Sequence, residues 1–151
     1  MDRYAPRARA VVALLARIAL GVVFVAHGWQ KLATNGMDAT TKAFTGMGVP
    51  APGVSAWYAA LVELVGGAAL IVGLALPLFG ALLFLDMAGA LIFVHAPHGI
   101  FASDGGFELV LALGVASLLV GVAGGPIALD RLLLRRRRTG QEAGEPVGSA
   151  A

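Results

Sequence analysis

Four long apolar stretches, at residues 11–32, 54–76, 78–95 and 107–129, alternate with short polar or Gly- and Pro-containing breaks. Each approaches the about 20 apolar residues that a helix needs to cross the ~30 Å hydrocarbon core of a bilayer. The pattern predicts an all-α fold, a polytopic membrane protein built as a four-transmembrane-helix bundle. The first break, 34–53, is rich in Thr, Gly and Pro. The second is a notch at Pro77 and Gly80, where Pro cannot extend a preceding helix and Gly relaxes the turn. Ala96-Pro97-His98-Gly99 closes the third span, and Gly124-Gly125-Pro126 ends or kinks the fourth. The chain thus divides into a basic tail at 1–10, a membrane domain at 11–130, and a basic, then disordered, tail at 131–151. A signal peptide is not expected at the start. The first apolar run is too long for one, Arg17 interrupts it, and no small-x-small cleavage site follows.

Composition narrows the chemistry. The 151 residues are 58% hydrophobic and 13% charged, too apolar for a soluble domain of this length. There is no cysteine, so disulfides, dithiol redox chemistry, thiolate metal sites and covalently attached haem are all excluded. Of eleven Lys and Arg, eight lie in the tails: Arg3, Arg7 and Arg9, then Arg131 and Arg135, Arg136, Arg137 and Arg138. Basic residues near span ends stay on the cytoplasmic side. Both termini are therefore expected there, which requires an even number of spans, with the 34–53 and 97–106 connections outside. A basic run just past a membrane helix is a topology and anionic-lipid signal, and a nucleic-acid partner is not expected.

Ionisable residues inside the spans are costly and mark function or a structural network. Counting 1.5 Å per residue from the cytoplasmic end of each span puts Arg17 about 9 Å deep, Asp86 about 10 Å and Glu63 roughly 20 Å. On that count Arg17 and Asp86 share a level with opposite signs. His27 and His95 fall at about 24 Å, with Lys31 and Glu108 nearer the outer surface. Arg17, Gly21, Phe24, Gly28 and Lys31 recur at helical spacing on one stripe, which should face the bundle, with His27 beside it. Glu63 is flanked by Ala59, Gly66 and Gly67, small residues that admit a neighbouring helix. Its candidate partners are Arg17, His27 or a proton of its own.

These groups support two readings. One is a buried network that only fixes helix register. The other is a pocket that holds a head group or passes protons. Two histidines at equal depth are able to ligate a b-type haem, but interfacial histidines are commoner and haem b is not expected. His95, His98 and Glu108 offer three ligands across a helix-breaking Pro97, so no metal site is expected either. Trp29, Trp57 and Tyr58 read as an aromatic belt at head-group level.

Taken in order, several segments resemble the DoxX family of small four-helix membrane proteins. They are Arg17-Ile-Ala-Leu-Gly21-Val-Val-Phe24-Val-Ala-His27-Gly28-Trp-Gln-Lys31, Phe44 with Gly48-Val49-Pro50, and Glu63-Leu-Val-Gly66-Gly67. After them come His95, Gly106-Phe107-Glu108 and Gly124-Gly125-Pro126-Ile-Ala-Leu129-Asp130. The likeness covers nearly everything from Arg17 to Asp130. Two positions depart from it: Ala128 stands where relatives carry Ser, and Asp86 is not part of the family pattern.

The resemblance implies association with membrane-bound thiosulfate:quinone oxidoreductase, sulfur redox and oxidative-stress defence, alongside soluble redox partners. The expected role is a plasma-membrane subunit or scaffold of a redox system in a prokaryote, with quinone as the candidate carrier and no covalently bound cofactor. An enzyme acting alone is not expected, since no flavin or nucleotide motif is present. Glu63 and His27 are the expected proton-relaying pair, with Arg17, Lys31, Asp86, His95 and Glu108 around the head group. The alternatives are a small proton-coupled transporter, which would need homo-oligomerisation, and a non-catalytic adaptor for a soluble redox enzyme.

Overall fold

The computed structural model describes residues 5–123 of the chain, which form helices and short turns with no strand among them. Helix α1 (Ala5–Trp29) runs on through a π-helical turn, Gln30–Thr34. A short helix α2 (Met37–Gly46) follows, then α3 (Pro52–Val72) and α4 (Leu76–Ala90). α4 is extended by a π-helical turn, Leu91–His95, and a 3-10 turn, Ala96–His98. A second 3-10 turn, Ala102–Asp104, leads into α5 (Glu108–Ala123).

Three segments are long and apolar enough to cross a membrane: Arg7–Thr34, Pro52–Val72 and Leu76–His98. α5 is a shorter apolar helix. The rest of the expected fourth span, with Gly124, Gly125, Pro126, Ala128 and Asp130, lies outside the described residues, as do Arg3 and the basic run from Arg131. Large apolar side chains face outward along every long helix, among them Leu15, Val22, Val65, Leu78, Leu119 and Val122. An apolar surface of that extent belongs in lipid rather than water.

Lipid removes the hydrophobic drive between helices, so association rests on close packing of small residues. α1 packs chiefly on α3, and α4 on α5. A Cβ at Gly21 would stand 2.6 Å from the Gly67 carbonyl oxygen, and one at Gly67 would stand 2.7 Å from that of Gly21. Gly28 lies as tightly against Ala60 and Leu64. The second pair has its own contact, where a Cβ on Gly80 would stand 2.7 Å from the Ser117 carbonyl oxygen and 2.8 Å from Gly121 Cα. Between the pairs lies a small core of Leu20, Phe24, Leu70, Leu76, Leu83 and Met87. The stripe expected on the first helix does face inward, with Arg17, Gly21, Phe24 and Gly28 buried and Lys31 half-buried.

Three sequence expectations need correction. Gly80 does not relax a turn; it is interior to α4 at the α5 contact. The turn is made instead by Gly73 (φ 78°), whose N–H bonds to Ala69, and by Ala75 (φ 46°). Pro77 then sits in the first turn of α4, where no N–H is required. The 34–53 connection is not all loop, because it contains α2. Arg17 and Asp86 do not share a level: Arg17 meets Leu70 and Ile71 near the end of α3, whereas Asp86 faces Glu63, about two turns earlier in that helix. The ends of apolar runs are not a common zero, since α1 already begins at Ala5.

Candidate functional site

Glu63 is 3% exposed, which for a carboxylate demands a partner. The partner is Lys31, whose Nζ donates to Glu63 Oε2 at 2.5 Å. Lys31 can reach because it lies in the π-helical turn that extends α1, at the level where Gly28 presses on α3. π turns are frequent at functional sites. Asp86 comes in from α4, close enough to feel the charges of both Glu63 and Lys31. It is 9% exposed, and its Oδ2 is the buried side-chain oxygen that has no hydrogen-bond partner among the described residues. One ammonium thus faces two carboxyl groups, and one of them has a spare oxygen.

These three residues floor a cavity of about 550 Å³. Its walls are apolar and aromatic, including Phe24, Phe44, Met47, Met87 and Phe93. α2, Val49 and Pro50 cover the end away from the α3–α4 turn, together with Ala102, Gly105 and Gly106. Pockets of this size, mostly apolar with few convergent polar groups, are the usual form of small-molecule sites.

The other expected site residues divide. His27 and His95 both line the cavity, and His95 Nδ1 is 2.6 Å from the Gly105 carbonyl oxygen. Glu108 is not in the wall; its Oε1 accepts the Ala102 N–H at 2.7 Å and fixes the loop before α5. Arg17 is also elsewhere. At 2% exposure it donates from Nε to Leu70 O at 2.9 Å and from a terminal nitrogen to Ile71 O at 3.0 Å. Those carbonyls belong to the last turn of α3, whose C=O groups lack N–H donors within the helix and carry the negative end of its dipole. The observed bonds make Arg17 a cap for a neighbouring helix. Lysine keeps the charge but lacks the planar fork, so Arg17→Lys is expected to lower stability by roughly 1–3 kcal/mol, the cost of an unsatisfied buried acceptor. Equilibrium unfolding in detergent would measure it, and an unchanged midpoint would remove the capping role.

Sequence reading did not single out Tyr58 as a site residue. It lines the cavity and donates its hydroxyl to Leu82 O at 3.2 Å, bridging α3 and α4. Trp29 and Trp57 stay exposed. Among the described residues no group of three His, Cys, Asp or Glu side chains is placed to hold a metal ion.

The DoxX family model matches residues 12–96, more than half of the chain. That stretch contains Arg17, His27, Lys31, Glu63, Asp86 and His95. A protein of Bacillus subtilis (strain 168) named "Putative oxidoreductase CatD" is 32% identical over 130 residues, covering 84% of this chain and 90% of that protein. No solved structure matches.

Proposed function

Because this chain belongs to the DoxX family, we propose that it is a multi-pass subunit of a membrane redox system whose cavity binds the head group of a quinone. The observation that carries the reading is the spare Oδ2 of Asp86, buried at the floor of an apolar cavity beside an ion pair. Support for redox work comes from the name of the Bacillus relative. The basic residues at both ends of the chain favour cytoplasmic termini, hence four spans and a cavity in the outer half of the bundle. A bacterial plasma membrane is the setting this implies.

The residues suit such a ligand. The volume accepts a ring, the walls accept its apolar faces, and the floor has one unused polar atom. A bound quinone supplies a two-electron, two-proton couple. A carboxyl group serves both of its forms: protonated, Asp86 donates from Oδ2 to a carbonyl oxygen; ionised, it accepts from a hydroxyl. Glu63 is already paired with Lys31, so the proton work falls to Asp86 and not to the expected Glu63–His27 pair. His95, further towards the covered end of the same cavity, offers a second titratable group on the way out. Without cysteine or a nucleotide motif, the electrons would come from a soluble partner.

The reading predicts that quinone is extracted from protein purified in mild detergent, and that Glu63→Gln retains part of it because Asp86 can take over Lys31. Quantifying extracted quinone against protein checks this. If wild type carries none and also fails to bind added quinone, the cavity is not a quinone site, and a partner-recruiting adaptor becomes the better account.

A further inference from the structure

Two ways into the cavity are available in principle: from the aqueous side, past α2 and the 96–106 connection, or sideways from the lipid. The aqueous side is covered by two segments, each held in place by its own hydrogen bonds. Thr40, buried on α2, donates to Lys31 O at 3.0 Å, and Ser55 donates to Pro50 O at 2.6 Å. On the opposite side His95 meets Gly105 O, Glu108 holds Ala102, and Phe107 and Glu108 bond back to Gly99 and Ile100. Gly106 is so close to Gly99 and Ile100 that a Cβ there would collide with their backbone.

The seam between α3 and α4 behaves differently along its length. Near the turn it is closed, with Leu83 3.2 Å from where a Cβ on Gly66 would stand. Further on it is bridged by the Tyr58 hydroxyl on Leu82 O. Leu85 and Gly89 on α4 and Phe93 in its π-helical extension then follow at four-residue spacing, and all three line the cavity. Yet Leu85 is 58% exposed and Phe93 41%, and a Cβ on Gly89 would meet nothing within 4 Å. Outward-facing wall residues on either side of a glycine with open space beside it mark an opening. Gly89 is the gap in it.

We propose that the cavity is entered from within the bilayer, through a lateral portal between α3 and α4 at Gly89, and that its ligand leaves an apolar tail lying in that portal while its polar head meets Asp86. The ligand class is therefore a lipid-dissolved molecule with one compact polar ring and one tail. The proposal rests on the head-group reading above and adds the route and the tail. His27 and Leu109, exposed on the opposite α1–α5 flank, also line the cavity, which makes that flank the control.

The chain's lack of cysteine makes site-directed labelling clean. Single variants Leu85→Cys, Gly89→Cys, Met47→Cys just past α2 and Leu109→Cys on the far flank would carry a spin label in liposomes. Relaxation by oxygen, which dissolves in lipid, is compared with relaxation by a water-soluble nickel chelate. Labels at 85 and 89 are expected to respond to oxygen and not to the chelate. A decyl-tailed benzoquinone is expected to immobilise the label at 89, and unsubstituted benzoquinone to leave it mobile. Gly89→Trp, which has open space to occupy, is expected to fold, to lose binding of the tailed compound and to keep binding of the tail-less one. Chelate access at 89, or immobilisation at 47 or 109 with 89 unchanged while quinone still binds, overturns the portal and leaves the head-group reading standing. Failure of wild type to bind either quinone overturns both.

Discussion

Lys31→Met is expected to destabilise the bundle by about 3 kcal/mol, the lower end of the cost of removing one partner from a buried ion pair, because Lys31 itself is only half-buried. The effect is large because Lys31 faces two carboxyl groups. Glu63 loses its 2.5 Å partner, and Asp86, already without a bond to Oδ2, loses the only cation the described residues place beside it. Glu63→Gln is expected to cost much less, since Asp86 stands ready to take the ammonium. The asymmetry is the informative part: equilibrium unfolding of both variants in one detergent should rank Lys31→Met well below Glu63→Gln. Equal losses would mean that Asp86 does not share Lys31.

The second large effect is expected at the α1–α3 contact. Gly67→Leu places a side chain where even a Cβ would stand 2.7 Å from Gly21 O, 2.8 Å from Val25 N and 2.9 Å from Phe24 Cβ. Two of those atoms are backbone, so a rotamer change cannot relieve the clash and the helices must separate. Overpacking of this kind costs roughly 3 kcal/mol, and separation also pulls Lys31 away from Glu63. The variant is expected to be recovered poorly and to have lost bound quinone together with its fold. Gly89→Leu, the same change at an open position, should fold normally. If Gly67→Leu had the wild-type unfolding midpoint, close glycine packing would not be what joins these helices.

Much of this was legible in the sequence. Lengths of apolar runs located every long helix, because the requirement to span about 30 Å with all backbone groups bonded leaves few alternatives. The i, i+4, i+7 spacing of Arg17, Gly21, Phe24 and Gly28 identified the inward face of α1 for the same reason. α2 was missed because ten residues at the bilayer edge carry no span-length signal, and Thr and Gly read as loop. The Lys31–Glu63 pair was missed because depth was counted at a uniform 1.5 Å rise from the ends of apolar runs. α1 and α4 begin at different levels, π turns leave no periodicity to read, and a lysine side chain reaches well below its own Cα. Arg17 was placed with the head group by its charge. Only the geometry of α3 reveals that its last carbonyls lie within reach. The resemblance to the DoxX family agrees with the family model's match over residues 12–96 but contributed nothing on Asp86, which the cavity singles out by burial and by its spare oxygen.

A purely structural network and a binding site predict opposite outcomes at one residue. Asp86→Asn removes a carboxyl group that crowds Glu63 and keeps the shape. If the site exists for a ligand, stability should be unchanged or rise by roughly 0.5–2 kcal/mol, as when a functional but strained group is neutralised. Quinone binding should be lost. Measuring the unfolding midpoint and the quinone extracted from the same Asp86→Asn preparation tests the account most directly. Equal or greater stability with no quinone is the result it predicts; a destabilised protein that still carries quinone would contradict it.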